Sequence, residues 1–138
     1  MAVRSDDARL TIRLSGVDAV EYRQLCTRAG KDWPCGWHAR SALERLAEGG
    51  PLLCALSAKD RYGRTLATCR TAPVPNGLDL GGEMVRLGWA VAIGDSYIAE
   101  EWEARVARRG IWQGGFATPA DWRAAQGRPA AALASPDM

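Results

Sequence analysis

The chain has 138 residues, 47% hydrophobic and 25% charged, with a formal net charge of +2. This suits one domain around one core. It excludes a protein that grips nucleic acid by bulk positive charge, so any such contact must come from a local site. No apolar run approaches the ~20 residues of a membrane span, and no signal peptide is legible at Met1, so no membrane partner is expected.

Residues 1–5 and 9–14 read as two strands around the turn "SDDA" (5–8). In the second, Leu10, Ile12 and Leu14 alternate with Arg9, Thr11 and Arg13. Residues 15–35 read as a long loop. A helix is expected at about 37–48, because Ala39, Ala42, Leu43, Leu46 and Ala47 share one face. "GGP" (49–51) stops it. "LLCALSA" (52–58) and "TLATCRT" (65–71) read as a hairpin around "KDRYGR" (59–64), and "TAPVPNG" (71–77) as a turn segment. A short helix at about 79–87 carries Leu80, Met84 and Leu87, with Gly88 as its stop. "WAVAI" (89–93) is apolar and expected to be buried. A third helix at about 97–109, capped by Asp95 or Ser96, has Ile98, Trp102 and Val106 as its expected packing stripe. Its early Glu100, Glu101 and Glu103 and late Arg105, Arg108 and Arg109 suit the helix dipole. Residues 111–123 should fold back over the surface. The pattern is α+β, with a domain over 1–126 and a disordered tail at 127–138. A small, partly open OB-type barrel with three helices fits it. The six tryptophans are expected to pack in the core and its lid, and His38 to lie on a helix surface.

The four cysteines lack a C-x-x-C pair, which argues against a zinc site. In a symmetric hairpin Cys54 faces Cys69, within reach of a disulfide. Cys26 and Cys35 would then close a short loop before the first helix. Four buried free thiols are the alternative. Disulfides would imply an oxidising compartment, periplasmic or secreted, and free thiols a cytoplasmic one.

Five blocks carry a further signal: "IRLSGVDAVE" (12–21), "WPCGWHARSALERL" (33–46), "DRYGRTLATC" (60–69), "DLGGEMVRLGWAVA" (79–92) and "EARVARRGIWQGGF" (103–116). In this order they resemble the staphylococcal nuclease-like (thermonuclease) family over about residues 9–123. The cysteine spacing and the ending "PADWR" (119–123) resemble a bacterial branch of it. The resemblance implies an OB-fold and Ca²⁺-dependent hydrolysis of DNA or RNA phosphodiesters. By the same resemblance, Arg13 and Arg64 hold the reacting phosphate, Asp18 and the Ala19 carbonyl bind calcium, and Glu21 is the general base. Tyr62 lies near the bound nucleotide, with Arg61 counted beside it as substrate-binding. The chemistry has its own logic. Arginines donate paired hydrogen bonds to phosphate oxygens as charge develops. A hard cation neutralises the same charge. A carboxylate beside it takes a proton from water. Each element alone has a plainer reading, as a solvated strand arginine, a turn-capping acid pair or an ordinary hairpin turn. Their joint occurrence favours the nuclease.

The sequence also departs from the family pattern. A G-D-T motif, with a second calcium aspartate, belongs about a dozen residues before Arg13, and none is present in this chain. One metal ligand and one barrel strand are therefore expected to be missing, leaving an open sheet edge that invites a homodimer. Gly94 and Asp95 stand where the family often has aromatic residues, with Tyr97 as a nearby substitute. The alternatives to an enzyme are an OB module that binds nucleic acid with little hydrolysis, and a domain that assembles through the open edge.

Overall fold

The computed structural model describes residues 2–5 and 8–127. The centre of the turn expected at 5–8 and the tail after Gly127 lie outside the described residues. Strands β1 (Ala2–Ser5) and β2 (Ala8–Leu14) pair antiparallel, as their alternation suggests. β2 then runs parallel to β7 (Thr65–Arg70), which pairs antiparallel with β6 (Leu53–Lys59) in the order β1-β2-β7-β6. The hairpin register sets Cys54 opposite Cys69, and the two form a disulfide. Asp60 closes its turn: the Tyr62 and Arg64 backbone N–H groups both donate to Asp60 Oδ1 at 2.9 Å.

The segment expected as one loop holds three short strands. β3 (Val17–Ala19) pairs with β8 (Ala90–Ala92), and β4 (Cys26–Arg28) forms a hairpin with β5 (Lys31–Trp33). Three-residue strands are too short to display alternation. The β4–β5 turn also uses Ala29 and Gly30, both at positive φ, in place of the Asn-Gly pair that advertises such a turn. The second disulfide, Cys26–Cys35, ties β4 to the start of helix α1 (Cys35–Ala47).

Helices α2 (Leu80–Arg86) and α3 (Ile98–Ala107) stand close to their expected places. Asp79 caps α2 by accepting from the Gly82 N–H. Gly88 follows α2 at φ +86°, where an added Cβ would lie 2.2 Å from the Arg109 carbonyl oxygen. The expected cap of α3 is replaced by Tyr97, without a side-chain bond. The stripe Ile98, Trp102 and Val106 does not pack: these residues are 57, 64 and 66% exposed. The buried face instead carries Ala104, whose small side chain admits close approach, and Glu101, which accepts from the Ala92 N–H at the end of β8. Tyr97 also lies in the core, where its hydroxyl donates to both Asp79 oxygens. Burial, then Asp79, pushes its pKa well up. Of the tryptophans, Trp33 is buried, Trp37 and Trp102 are exposed, and the rest are half-buried. His38 is exposed and stacks on Trp89.

After a 3₁₀ turn (Gly110–Gln113), a fourth helix, α4 (Pro119–Gln126), adds to the three expected. Thr118 caps it by accepting from the Asp121 N–H at 3.1 Å, and Pro119 occupies its first turn, fully buried. The architecture is α+β with two packed clusters. Ile12, Ala67, Cys69 and Leu80 form the smaller one; Val17, Val85, Met84 and Ile111 belong to the larger. Among the described residues no helix is long and apolar enough to cross a membrane.

Two consequences can be measured. Alkylation under denaturing conditions without reductant should find no free thiol, since both pairs are bonded. Reduction should then lower the Tm by on the order of 20 °C, from about 3 kcal/mol for each of the two bridges in the chain-entropy account. Gly36 packs so tightly that a Cβ would lie 1.8 Å from the Glu21 carbonyl oxygen. Gly36→Ala should therefore cost about 2–3 kcal/mol in urea unfolding.

Candidate active site

The parallel pairing of β2 and β7 builds the site. Arg13 is in register with Leu66, so Arg64, two residues before Leu66, falls on the same face of the sheet. The opposite face carries Ile12 and Ala67 into the core. Two arginines remote in sequence thus face one cleft of about 600 Å³, lined also by Glu21, Tyr62, Arg123 and Ala124. Arg64 is aimed by its own turn. Its Nε donates to Asp60 Oδ2 at 2.8 Å, and its guanidinium lies 5.5 Å from the Tyr62 ring centre. Burial works against the Asp60 charge, but the bonds from Arg64 and Tyr62 outweigh it and hold the carboxyl below its usual range.

Asp18 stands on β3, not in a loop as expected, and is 4% exposed. Its Oδ1 accepts from Arg13 Nη2 at 2.8 Å and from Arg123 Nη1 at 3.1 Å; its Oδ2 accepts from Arg123 Nη2 at 2.9 Å. Burial alone would raise the Asp18 pKa, yet the bonds from Arg123 and Arg13 prevail and lower it. Glu21 Oε1 accepts from Arg123 Nη1 at 2.6 Å. The segment that carries Glu21 is fastened on several sides. The Glu21 N–H donates to Gln24 Oε1 at 3.2 Å, the Gly36 N–H donates to the Gln24 carbonyl at 3.1 Å, and Gln24 Nε2 reaches the Ala117 carbonyl at 2.6 Å. That last bond also fixes the chain entering α4.

The structure thus brings Arg13, Glu21, Tyr62 and Arg64 around one volume, with Asp18 behind them. Ala19 lies opposite Ala90. Because the Val20 N–H donates to the Trp89 carbonyl and the Ile93 N–H to the Gly16 carbonyl, Ala19 falls between bonded pairs and its carbonyl is left out of that ladder. Arg61 is not among the residues lining the cleft; it is exposed, with its guanidinium 5.3 Å from the Tyr62 ring centre. Tyr97, buried against Asp79, is likewise not at the cleft.

The residue that sequence reasoning missed is Arg123. "TPAD" (118–121) does announce a helix start, with a capping threonine, a proline in the first turn and an acid three residues after the cap. Nothing local shows that the following arginine reaches residues more than a hundred positions earlier.

The donor set was expected to hold calcium, which takes six to eight oxygens at the protein's disposal or from water. Here Asp18 gives both oxygens to guanidinium groups and Glu21 gives one. No group of three or more His, Cys, Asp or Glu residues placed to hold a metal ion occurs among the described residues. An ion at Asp18 would have to displace Arg123 and lie beside Arg13. The residues present, so arranged, do not fit it.

The profile of the family described as staphylococcal nuclease homologue matches residues 11–114. The chain is 32% identical to a probable endonuclease LCL3 of Schizophyllum commune over 136 residues, covering 85% of this chain and 46% of the relative. It is also 32% identical to the succinoglycan biosynthesis protein ExoI of Rhizobium meliloti over 108 residues, covering 74% of this chain and 55% of the relative. The chain thus spans about half the length of these curated relatives. The matched residues take in β3, α1, both disulfides and the Asp60–Arg64 turn, and they end before α4. On this evidence the chain belongs to the staphylococcal nuclease homologue family.

Proposed function

We propose that the protein is a nuclease that hydrolyses phosphodiester bonds of DNA or RNA in the cleft between Arg13, Arg64 and Glu21. Family membership and the endonuclease name of one relative support the reaction class. The observation that carries the assignment to this cleft is the shared face of Arg13 and Arg64, with a carboxylate at its rim.

In this reading the two guanidinium groups hold the non-bridging oxygens of the phosphate and strengthen their bonds as charge accumulates there. Glu21 takes a proton from the attacking water. Arg123 bonds to Oε1, one of its two carboxylate oxygens. Tyr62, exposed at the mouth, offers a ring to the base or sugar, and Arg61 beside it offers a charge to a flanking phosphate. No step is assigned to calcium, given the pairing of Asp18. The two disulfides support an oxidising compartment, periplasmic or secreted. A second copy pairing at the sheet edge is a further expectation. It is favoured by β6, an edge strand with Leu53 and Leu56 about half exposed.

Digestion of plasmid DNA and of a single-stranded oligonucleotide tests the assignment. Glu21→Gln should lower kcat about 10²- to 10⁴-fold, and Arg64→Ala about 10²- to 10³-fold, with the fold retained by circular dichroism. Tight binding of the oligonucleotide by the parent without turnover would instead favour a binding module. Light scattering at rising concentration tests the edge, and a strict monomer removes the dimer.

A further inference from the structure

We propose that Arg123 occupies the place of the divalent cation in this site, as a positioning residue that holds Asp18 and Glu21 together and keeps calcium out. The proposal rests on the nuclease reading for its consequence and on the geometry for its substance. One guanidinium spans three carboxylate oxygens of two residues, at 2.6, 2.9 and 3.1 Å. A hard cation held by Asp18 would compete for the oxygens that Arg123 already occupies. The guanidinium answers their charge by forked hydrogen bonds instead.

The delivery of Arg123 is built into the fold. The Thr118 cap and the buried Pro119 start α4 at a defined point. The Gln24–Ala117 bond anchors that point to the segment bearing Glu21. Arg123 then falls in the second turn, over β3. Ala124, next along, lines the cleft and leaves its mouth open. With Arg13 and Arg64, three guanidinium groups meet three carboxylates, those of Asp18, Glu21 and Asp60, so Arg123 supplies the positive charge that keeps the cluster from being net negative without an added ion. Arg13 alone could satisfy only one Asp18 oxygen in the arrangement seen. Without Arg123, Glu21 would lose its charged partner and the second Asp18 oxygen would be unpaired. The element responsible lies beyond the profile-matched residues 11–114, in the closing segment that carries "PADWR" (119–123).

Calorimetric titration of the intact protein with CaCl₂ to about 10 mM, well above ordinary weak sites, provides the test, alongside cleavage assays in chelator. The parent should show no saturable binding and should cleave equally with calcium or chelator. Arg123→Gln should gain one calcium site. It should also lose chelator-resistant kcat at least about tenfold with KM little changed, and recover activity when calcium is added. Arg123→Lys, which keeps the charge, should still exclude calcium. The proposal is overturned by saturable calcium binding to the parent, by loss of parental cleavage in chelator, or by an Arg123→Gln variant that gains no calcium site. If Arg123→Gln does not fold, Arg123→Lys decides with the parent, and calcium binding by it overturns the proposal. If no nucleic acid is cleaved at all, the nuclease reading fails by itself and the calorimetry still decides what occupies the cation's place.

Discussion

A carboxylate as deeply buried as Asp18 is tolerated only when its charge is answered by partners with good geometry. Asp18 has two, and they come from opposite ends of the described chain: Arg13 from β2 and Arg123 from α4. That single requirement joins the sheet, β3 and the last helix into one unit. It also draws Glu21 in, because Arg123 shares its Nη1 between the two acids. Removing a partner would leave a charge out of water without compensation, so integrity of the site and packing of α4 are coupled.

The segment between β3 and α1 shows how firmly this unit is supported. It has little regular structure, yet Gln24 makes side-chain bonds to it and to the chain before α4, Gly36 closes against its carbonyls, and the Cys26–Cys35 bridge fastens its far end. In the proposed reaction Glu21 would have to be held in place, since small displacements weaken proton transfer. The Cys54–Cys69 disulfide acts similarly on the hairpin side of the cleft. It pins the hairpin whose turn carries Tyr62 and Arg64. Both bridges thus stabilise the frame around the cleft and lie outside it.

Helix α3 has a different place in the economy of the fold. Its large apolar residues face outward, while Ala104 and Glu101 make the inward contacts. The helix is held by the buried Ala104, by the Glu103–Arg86 ion pair to α2 and by the Glu101 carboxylate that accepts from the end of β8. This separates it from the site, which depends on β2, β3, the hairpin turn and α4.

Much of this was legible in the chain. Alternation over residues 9–14, the apolar face of α1 and the symmetric spacing of Cys54 and Cys69 are local signals, and local geometry decided them. The blocks around Arg13, Asp18, Glu21 and Arg64 likewise stand in the sequence and carry the family resemblance, and the fold brings Arg13, Glu21 and Arg64 to one cleft. What the chain could not disclose by itself was which face of α3 packs. Its periodicity is equally compatible with burial or exposure of Ile98, Trp102 and Val106. Three-residue strands such as β3 and β4 were also hidden, because they form only where a partner strand is supplied. Above all, the pairing of Asp18 with Arg123 was decided in three dimensions. Electrostatic attraction acts through space, and no periodicity or spacing relates positions 105 residues apart until β3 and α4 are packed together.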